Sequence, residues 1–409
     1  MSRLKTTSLA LLAFTGMLHF SPARADVGTD TAKLLTMMYQ DTRQDCGRTT
    51  RPAFLCSGVL LRATTPSTAY QFYSVSPASQ ARGGVSVSYL RQDAKFKSLV
   101  FNMNSGFVFD SVMENPADQQ DYRVLCAFPI DGASDRRNGS GCGDYNLTST
   151  VENACQQMGV TTAEQWITRY RQADPTYKQG SQCSFDVRQG AAHGTANAFQ
   201  QNLRARNLLG SEGFAMNNEL VLSPWAVDAP GSLPILAAFY TNSAGIAGAR
   251  LSQIQWYQST RQFLPAISIR LPQSQSQNAS FRYEPAQQAI YPVTAADKCD
   301  RYVQSASWIT RYDPGFRRDI TTLSVVPTAC GRGVQSDQTN NFFNEMIAGF
   351  YLSPEWINNS DNPATNIASM RRQLICHFTV ARGKASFNLE PSRPLISQGE
   401  TNAAGCNNV

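Results

Sequence analysis

Histidine is almost missing from this chain, with three in 409 residues. His19 lies in an N-terminal stretch that reads as a removable leader, which leaves His193 and His377. A multi-histidine metal site has almost no support from such a composition. A Ser-His-Asp or Cys-His site would have to use one of these two residues. His193 sits in a Gly-Ala-Ala-His-Gly run that reads as a loop, and His377 follows Cys376 on a segment that reads as a strand. For both, a solvated or packed imidazole is the plainer reading. No two cysteines stand in a Cys-x-x-Cys, so zinc and thioredoxin-type chemistry lose their usual signature. No run after residue 25 is long and uncharged enough to span a bilayer. The excess of basic over acidic residues, 36 against 30, shrinks once Arg3, Lys5 and Arg24 leave with the leader. A balance so small points to neither nucleic acid nor a membrane surface. Lysine is scarce too, whereas Gln, Asn, Ser and Thr are plentiful, a composition that suits an extracellular or periplasmic chain.

The leader itself is residues 1–25. Arg3 and Lys5 form a positive start, an apolar stretch follows, and Ala23-Arg24-Ala25 gives a small-x-small end before Asp26. This is the layout of a secretory signal peptide, and the expectation is a secreted or periplasmic mature chain, where disulfides persist. All ten cysteines lie beyond it. Pairing of sequential neighbours is expected, Cys46–Cys56, Cys126–Cys142, Cys155–Cys183, Cys299–Cys330 and Cys376–Cys406. Each would close a short loop and stabilise by roughly 2–4 kcal/mol.

The mature chain reads as α+β, mainly antiparallel strands with short helices. A capped helix through about residue 44 opens an N-terminal domain, residues 26–150. Runs at 52–63, 84–90, 98–102, 107–112 and 122–128 read as strands between Pro, Gly, Asn and Asp turns. The remainder reads as a duplication, 151–290 and 291–409. Trp166-Ile-Thr-Arg-Tyr170 recurs as Trp308-Ile-Thr-Arg-Tyr312, each between two cysteines. Each is followed by a Leu-Ser-Pro, a tryptophan (Trp225 and Trp356) and an apolar run, 233–241 and 373–380, expected as strands. In the first copy a capping box at 161–164 predicts a helix with Trp166 and Tyr170 on one face. These rings either anchor the helix on a sheet or form a sugar-stacking platform.

Three pieces bear on chemistry. Gly58 to Ala63 puts Arg62 at the end of an apolar strand. Gly83 to Tyr89 puts Ser86 and Ser88 on one face of a strand. Asn217-Asn218-Glu219 puts a carboxylate at the start of a third. Each has a plain reading as strand-end charge or polar strand face. Together they resemble the Arg, Ser-x-Ser, x-x-Glu order of ADP-ribosyltransferase-like enzymes, with Asn217 where that pattern has Glu or Gln. The second Leu-Ser-Pro has no equivalent glutamate, and Asp110 and Glu114 are alternative carboxylates. The resemblance implies NAD as substrate and no metal. Arg62 would pair with pyrophosphate. Ser86 and Ser88 would hold the scaffold and the carboxylate, and Glu219 would stabilise the ribosyl cation as nicotinamide leaves.

The segments around Asp45-Cys46-Gly47, 51–58 and 83–91 also resemble secreted bacterial halovibrins, most firmly over about 40–130. That resemblance implies an NAD glycohydrolase or ADP-ribosyltransferase. The other reading is a non-catalytic secreted binding or adhesion protein that uses aromatic-bearing modules.

Overall fold

The computed structural model describes residues 26–47, 52–64, 85–110, 123–131, 155, 157–176, 182–185, 195–223, 235–293, 297–357 and 361–409. The leader, Trp225, His193, Glu114 and Cys142 lie outside these residues.

The α+β expectation holds, with mainly antiparallel strands. Helix α1 (Val27–Gln40) starts at Asp26, whose side chain accepts from Gly28 N. It is followed by β1 (Val59–Ala63), β2 (Val85–Leu90), β3 (Ser105–Phe109) and β4 (Arg123–Phe128). Helices α2 (Ala163–Gln172), α3 (Thr195–Leu208) and α4 (Ser211–Ala215) come next. Then come β5 (Glu219–Ser223), β6 (Ile235–Tyr240), α5 (Ile246–Thr260), β7 (Ala266–Arg270) and β8 (Ser280–Tyr283). The eight strands form one sheet in the order β4-β5-β2-β1-β3-β6-β7-β8. Every neighbouring pair is antiparallel except β6 and β7. A parallel pair needs a crossover, and α5 supplies it.

Strand alternation splits the sheet's side chains between two cores. On one face Leu60, Val85, Val87, Tyr89, Leu220 and Leu222 pack with Phe199 and Leu203 of α3. On the other, Val59, Leu61, Leu90, Val108 and Phe239 pack with Leu35, Met38 and Tyr39 of α1. Each fully buried aliphatic side chain of this set contributes about 1.5–3 kcal/mol. Residues 26–150 do not close on themselves, because β5 is inserted between β4 and β2 and β6 extends the sheet past β3.

The C-terminal part holds β9 (Val303–Asp313) and β10 (Arg318–Pro327). It continues with α6 (Thr339–Phe350), α7 (Asn366–Val380), β11 (Phe387–Leu389) and α8 (Gln398–Ala403). A second sheet runs β11-β10-β9, and its core joins Leu323, Val325, Phe342, Met346, Ile367, Met370, Leu374 and Phe387.

The expected duplication fails at its strongest signal. The first Trp-Ile-Thr-Arg-Tyr lies in helix α2 and the second in strand β9. Trp, Ile, Thr and Tyr all favour strands, so context decides. In the first copy Thr162 and Gln165 form a capping box that starts a helix. In the second, Asp313 accepts from Gly315 N and Phe316 N, and this turn folds β10 back onto β9. The strand expected at 373–380 is also corrected. Those residues belong to α7, where Ile367, Met370, Leu374 and Phe378 recur at helical spacing and are buried. The strand expected at 98–102 is a 3-10 turn at Val100–Asn102.

The disulfides Cys46–Cys56, Cys155–Cys183, Cys299–Cys330 and Cys376–Cys406 form as expected. Cys126 is disulfide-bonded as well, and the one cysteine left in the sequence, Cys142, lies outside the described residues.

Gly58 ties α1 to the sheet. Its N–H donates to Met38 O, its φ is 72°, and a Cβ there would fall 2.3 Å from the Tyr89 ring. Gly58→Ala is expected to cost about 2–4 kcal/mol, from left-handed strain plus overpacking. Urea unfolding measures this, and an unchanged midpoint would contradict the packing described.

Candidate functional site

The register of β2 on β5 assembles the candidate site. Ser86 faces Val221 and Val87 faces Leu220, so Ser86, Ser88, Glu219 and Val221 share one face of the sheet. Ser86 Oγ donates to Glu219 Oε1 at 2.6 Å, across 133 residues of sequence. Asn217 Nδ2 donates to Ser88 Oγ at 2.9 Å. Beyond the ladder, Asn218 stands in for a peptide unit. Its Oδ1 accepts from Tyr89 N at 2.7 Å and its Nδ2 donates to Tyr89 O at 2.8 Å. A side-chain amide has the donor and acceptor of a backbone unit, so it continues the pairing and fixes the register.

Glu219 is 0 % exposed, and Asn217 and Ser88 are also buried. Ser86 is half-buried, so the solvent side of this cluster is the serine. A carboxylate in such a place acts on charge in a low-dielectric environment.

Arg62 does not join the cluster. Leu61 faces Ser88 across β1 and β2, so strand alternation puts Arg62, the next residue, on the opposite face. There it faces Phe107 of β3 and is half-buried. The expected arginine fork beside Ser86 and Glu219 is thus corrected by a one-residue parity. Asp110 follows β3, which is separated from β5 by β1 and β2. That separation is about 14 Å at ordinary strand spacing.

The stacked aromatics lie inside the protein. Trp166 and Tyr170 lie 4.8 Å apart with an interplanar angle of 12°, both buried, and Trp166 Nε1 donates to Cys183 O. They anchor α2 and offer no platform to a sugar. Trp356 is buried as well, edge-on to Trp308. Among the described residues no group of three or more His, Cys, Asp and Glu is placed to hold a metal ion.

A second polar cluster had no motif to reveal it. Arg393 Nε donates to Glu390 Oε2 at 2.7 Å, and its Nη2 donates to Asp313 Oδ2 at 2.6 Å. Arg311 Nη2 reaches Glu390 Oε1 at 2.7 Å. Thr322 Oγ1 donates to that same oxygen, and Gln373 pairs with the Glu390 backbone. Arg393 Nη1 donates to Asn408 O, which fastens the chain's last residues to this centre. The available signal was parity. Arg311 and Asp313 are two apart on a strand, and Glu390 and Arg393 are three apart. Burial pushes the Asp313 carboxyl up, but the hydrogen bonds from Phe316 N, the Arg393 guanidinium and Gly315 N, with the charge of Arg393, outweigh it and hold the carboxyl below its usual range.

His377 sits nearby, stacked on Phe387 with ring centroids 4.9 Å apart, and Nε2 lies 3.0 Å from Asn388 O. Burial lowers its pKa. The folded state therefore favours neutral imidazole, and the unfolded chain binds a proton first, near pH 6.5. Stability is full above that pH and falls as the solution is acidified through it. His377→Phe is expected to flatten this slope, measured by denaturation between pH 5 and 8; an unaltered slope would contradict the assignment. Arg393→Met leaves two buried carboxylates without their shared partner and is expected to cost about 3–5 kcal/mol. Loss of under about 1 kcal/mol in the same assay would show the network to be dispensable.

Residues 303–409 match the family model described as a protein of unknown function, DUF2599. They hold β9 onward, including the Arg393 centre, and exclude the Ser86–Glu219 cluster. An uncharacterized protein of Mycobacterium bovis is 46% identical over 50 residues, 11% of this chain and 34% of that protein. Two uncharacterized proteins from Mycobacterium tuberculosis strains match to the same extent. The matching region thus spans about a third of the length of these relatives. No solved structure matches the chain.

Proposed function

We propose that this chain is an exported enzyme that cleaves the nicotinamide–ribose bond of NAD, with Glu219 as the charge facing the ribosyl cation. The observation that carries the reading is the 2.6 Å bond from Ser86 Oγ to Glu219 Oε1. Two motifs chosen for that chemistry lie on adjacent strands and touch, although 133 residues separate them.

In the proposed step the bond between the ribose anomeric carbon and the nicotinamide nitrogen breaks, and its electron pair leaves with nicotinamide. The oxocarbenium-like cation develops against the Glu219 carboxylate, which stabilises it electrostatically. Water, or a nucleophilic side chain of a target protein, then bonds to the anomeric carbon and releases its proton to solvent. Ser86 fixes one carboxylate oxygen without neutralising the charge. Ser88 acts through Asn217 on the start of β5, so it positions Glu219 and does not touch substrate. Arg62 has no part in this step. Ser86, half-buried beside the buried Glu219, marks the side from which substrate approaches. Export agrees with the leader-like N-terminus and with the disulfides, which are kept in oxidising compartments.

Glu219→Gln keeps the shape but removes the charge, so the loss is expected in turnover, on the order of a hundredfold or more. Ser86→Ala removes one charge-assisted hydrogen bond and is expected to cost about tenfold. Nicotinamide release from NAD by the oxidised protein is the measurement. Undiminished turnover by Glu219→Gln, or no release by the wild type, sinks the proposal.

A further inference from the structure

A cavity of about 270 Å³ opens on the α3 side of the larger sheet, lined in part by Gln92, Asp93, Lys95, Arg206, Asn207 and Gln275. Its charged groups are unequal in what they already do. The Asp93 carboxylate accepts from Arg91 Nε at 2.6 Å and from Arg91 Nη2 at 2.9 Å. Lys95 Nζ donates to Gln275 O at 3.1 Å, which leaves two of its three hydrogens. Arg206 is 2 % exposed, and its guanidinium donates to three backbone carbonyls, Pro129 O, Lys95 O and Met216 O. Its Nε–H has no hydrogen-bond partner among the described residues.

The guanidinium also lies 5.7 Å from the centre of the Phe96 ring, but a buried cation without a carboxylate partner is stabilised less than one that has it. Burial accordingly pushes the Arg206 guanidinium down from its ordinary range. An unpaired N–H on a wholly buried side chain is left at a desolvation cost that a bound acceptor would relieve. The cavity wall thus carries two cations and one carboxylate already held by Arg91. The Gln92, Asn207 and Gln275 amides, each a donor and an acceptor, lie beside them.

We infer that this cavity binds a small polyhydroxylated acid, a sugar acid or a sugar phosphate, with its oxyanion against Arg206 and Lys95. The volume exceeds that of a bare oxyanion, and the amides match hydroxyls, which both donate and accept. The assignment is independent of the NAD reading, since neither Glu219 nor Ser86 lines the cavity.

The test uses the oxidised full-length protein and calorimetric titration with gluconate, glucose 6-phosphate, inorganic phosphate and glucose. Gluconate or glucose 6-phosphate is expected to bind, the preferred one naming the anionic group, and glucose is not. Lys95→Ala and Asn207→Asp change exposed or half-exposed groups that no core packing needs. Each is expected to weaken binding about tenfold, the worth of one charge-assisted contact. Arg206→Lys should abolish binding if it folds, but the other two variants decide the matter without it. Failure of both gluconate and glucose 6-phosphate to bind, or glucose binding as tightly as the acids, overturns the inference. So does affinity unchanged in both Lys95→Ala and Asn207→Asp, or inorganic phosphate binding as tightly as glucose 6-phosphate.

Discussion

The pairing of β5 with β2 is the contact on which the larger sheet depends. Without β5, β4 keeps only its bridge to Phe185 among the described residues, and the face covered by α3 loses Leu220 and Leu222. The partners lie more than a hundred residues apart, so closing this loop costs conformational entropy before any contact compensates. The seam is accordingly held by more than its ladder. Asn218 continues the hydrogen bonding past the strand end, Asn217 holds Ser88, and Ser86 holds Glu219. A slip of one residue would turn Glu219 into the α3-side core and Leu220 out of it, which burial forbids. The same five residues therefore set the register and place the candidate carboxylate.

Elsewhere the protein satisfies its buried polar groups with arginine. The chain has seven lysines and twenty-nine arginines. Arg91 and Arg393 hold carboxylates, whereas Arg206 and Arg250 gather backbone carbonyls that the irregular segments leave without partners. Arg250 joins Gln287, Pro363 and Ala364, and so ties α5 to the C-terminal part. A planar fork of five N–H groups can serve several carbonyls in fixed directions, which an ammonium on a flexible stem does poorly. Irregular segments leave carbonyls without ladder partners, and Arg206 and Arg250 meet several of them.

The sequence made the mixed class, four of the sequential disulfides and most strands of the larger sheet legible, because those signals are local. Alternating residues at 85–90 and short cysteine loops state their own structure. The sheet order was not legible, since no local feature says that 219–223 enters between 85–90 and 123–128. Repetition misled for a physical reason. Trp-Ile-Thr-Arg-Tyr leans towards strand, but flanking residues override a five-residue propensity: a capping box made one copy helical, and an Asp-Pro-Gly turn left the other a strand. For the site, Ser86 and Glu219 were visible as polar residues on otherwise apolar strands, and they meet. Arg62 was equally visible, but its facing depends on the parity of β1 against β2, which only the register supplies. The Glu390–Arg393 centre left no motif, because its members come from a strand, a loop and the chain's end.

Two of the buried carboxylates, Glu219 and Glu390, sit in different settings, and Glu219 carries the functional reading. Glu390 accepts from two guanidinium groups, one on each oxygen. Its charge is balanced, and what it does is hold β9, the loop after β11 and the C-terminal tail in one place. Such a centre resists any new cation, because admitting one means breaking a buried pair at a cost of several kcal/mol. Glu219 accepts from the Ser86 hydroxyl, which orients that carboxylate oxygen. Catalysis of bond heterolysis needs such a fixed position, since the stabilising group must already point at the charge that appears. The contrast also separates two roles within one chain. The part that matches the family of unknown function is organised around a neutralised centre that fastens structure, and the larger sheet holds an oriented carboxylate with a half-exposed serine at its side.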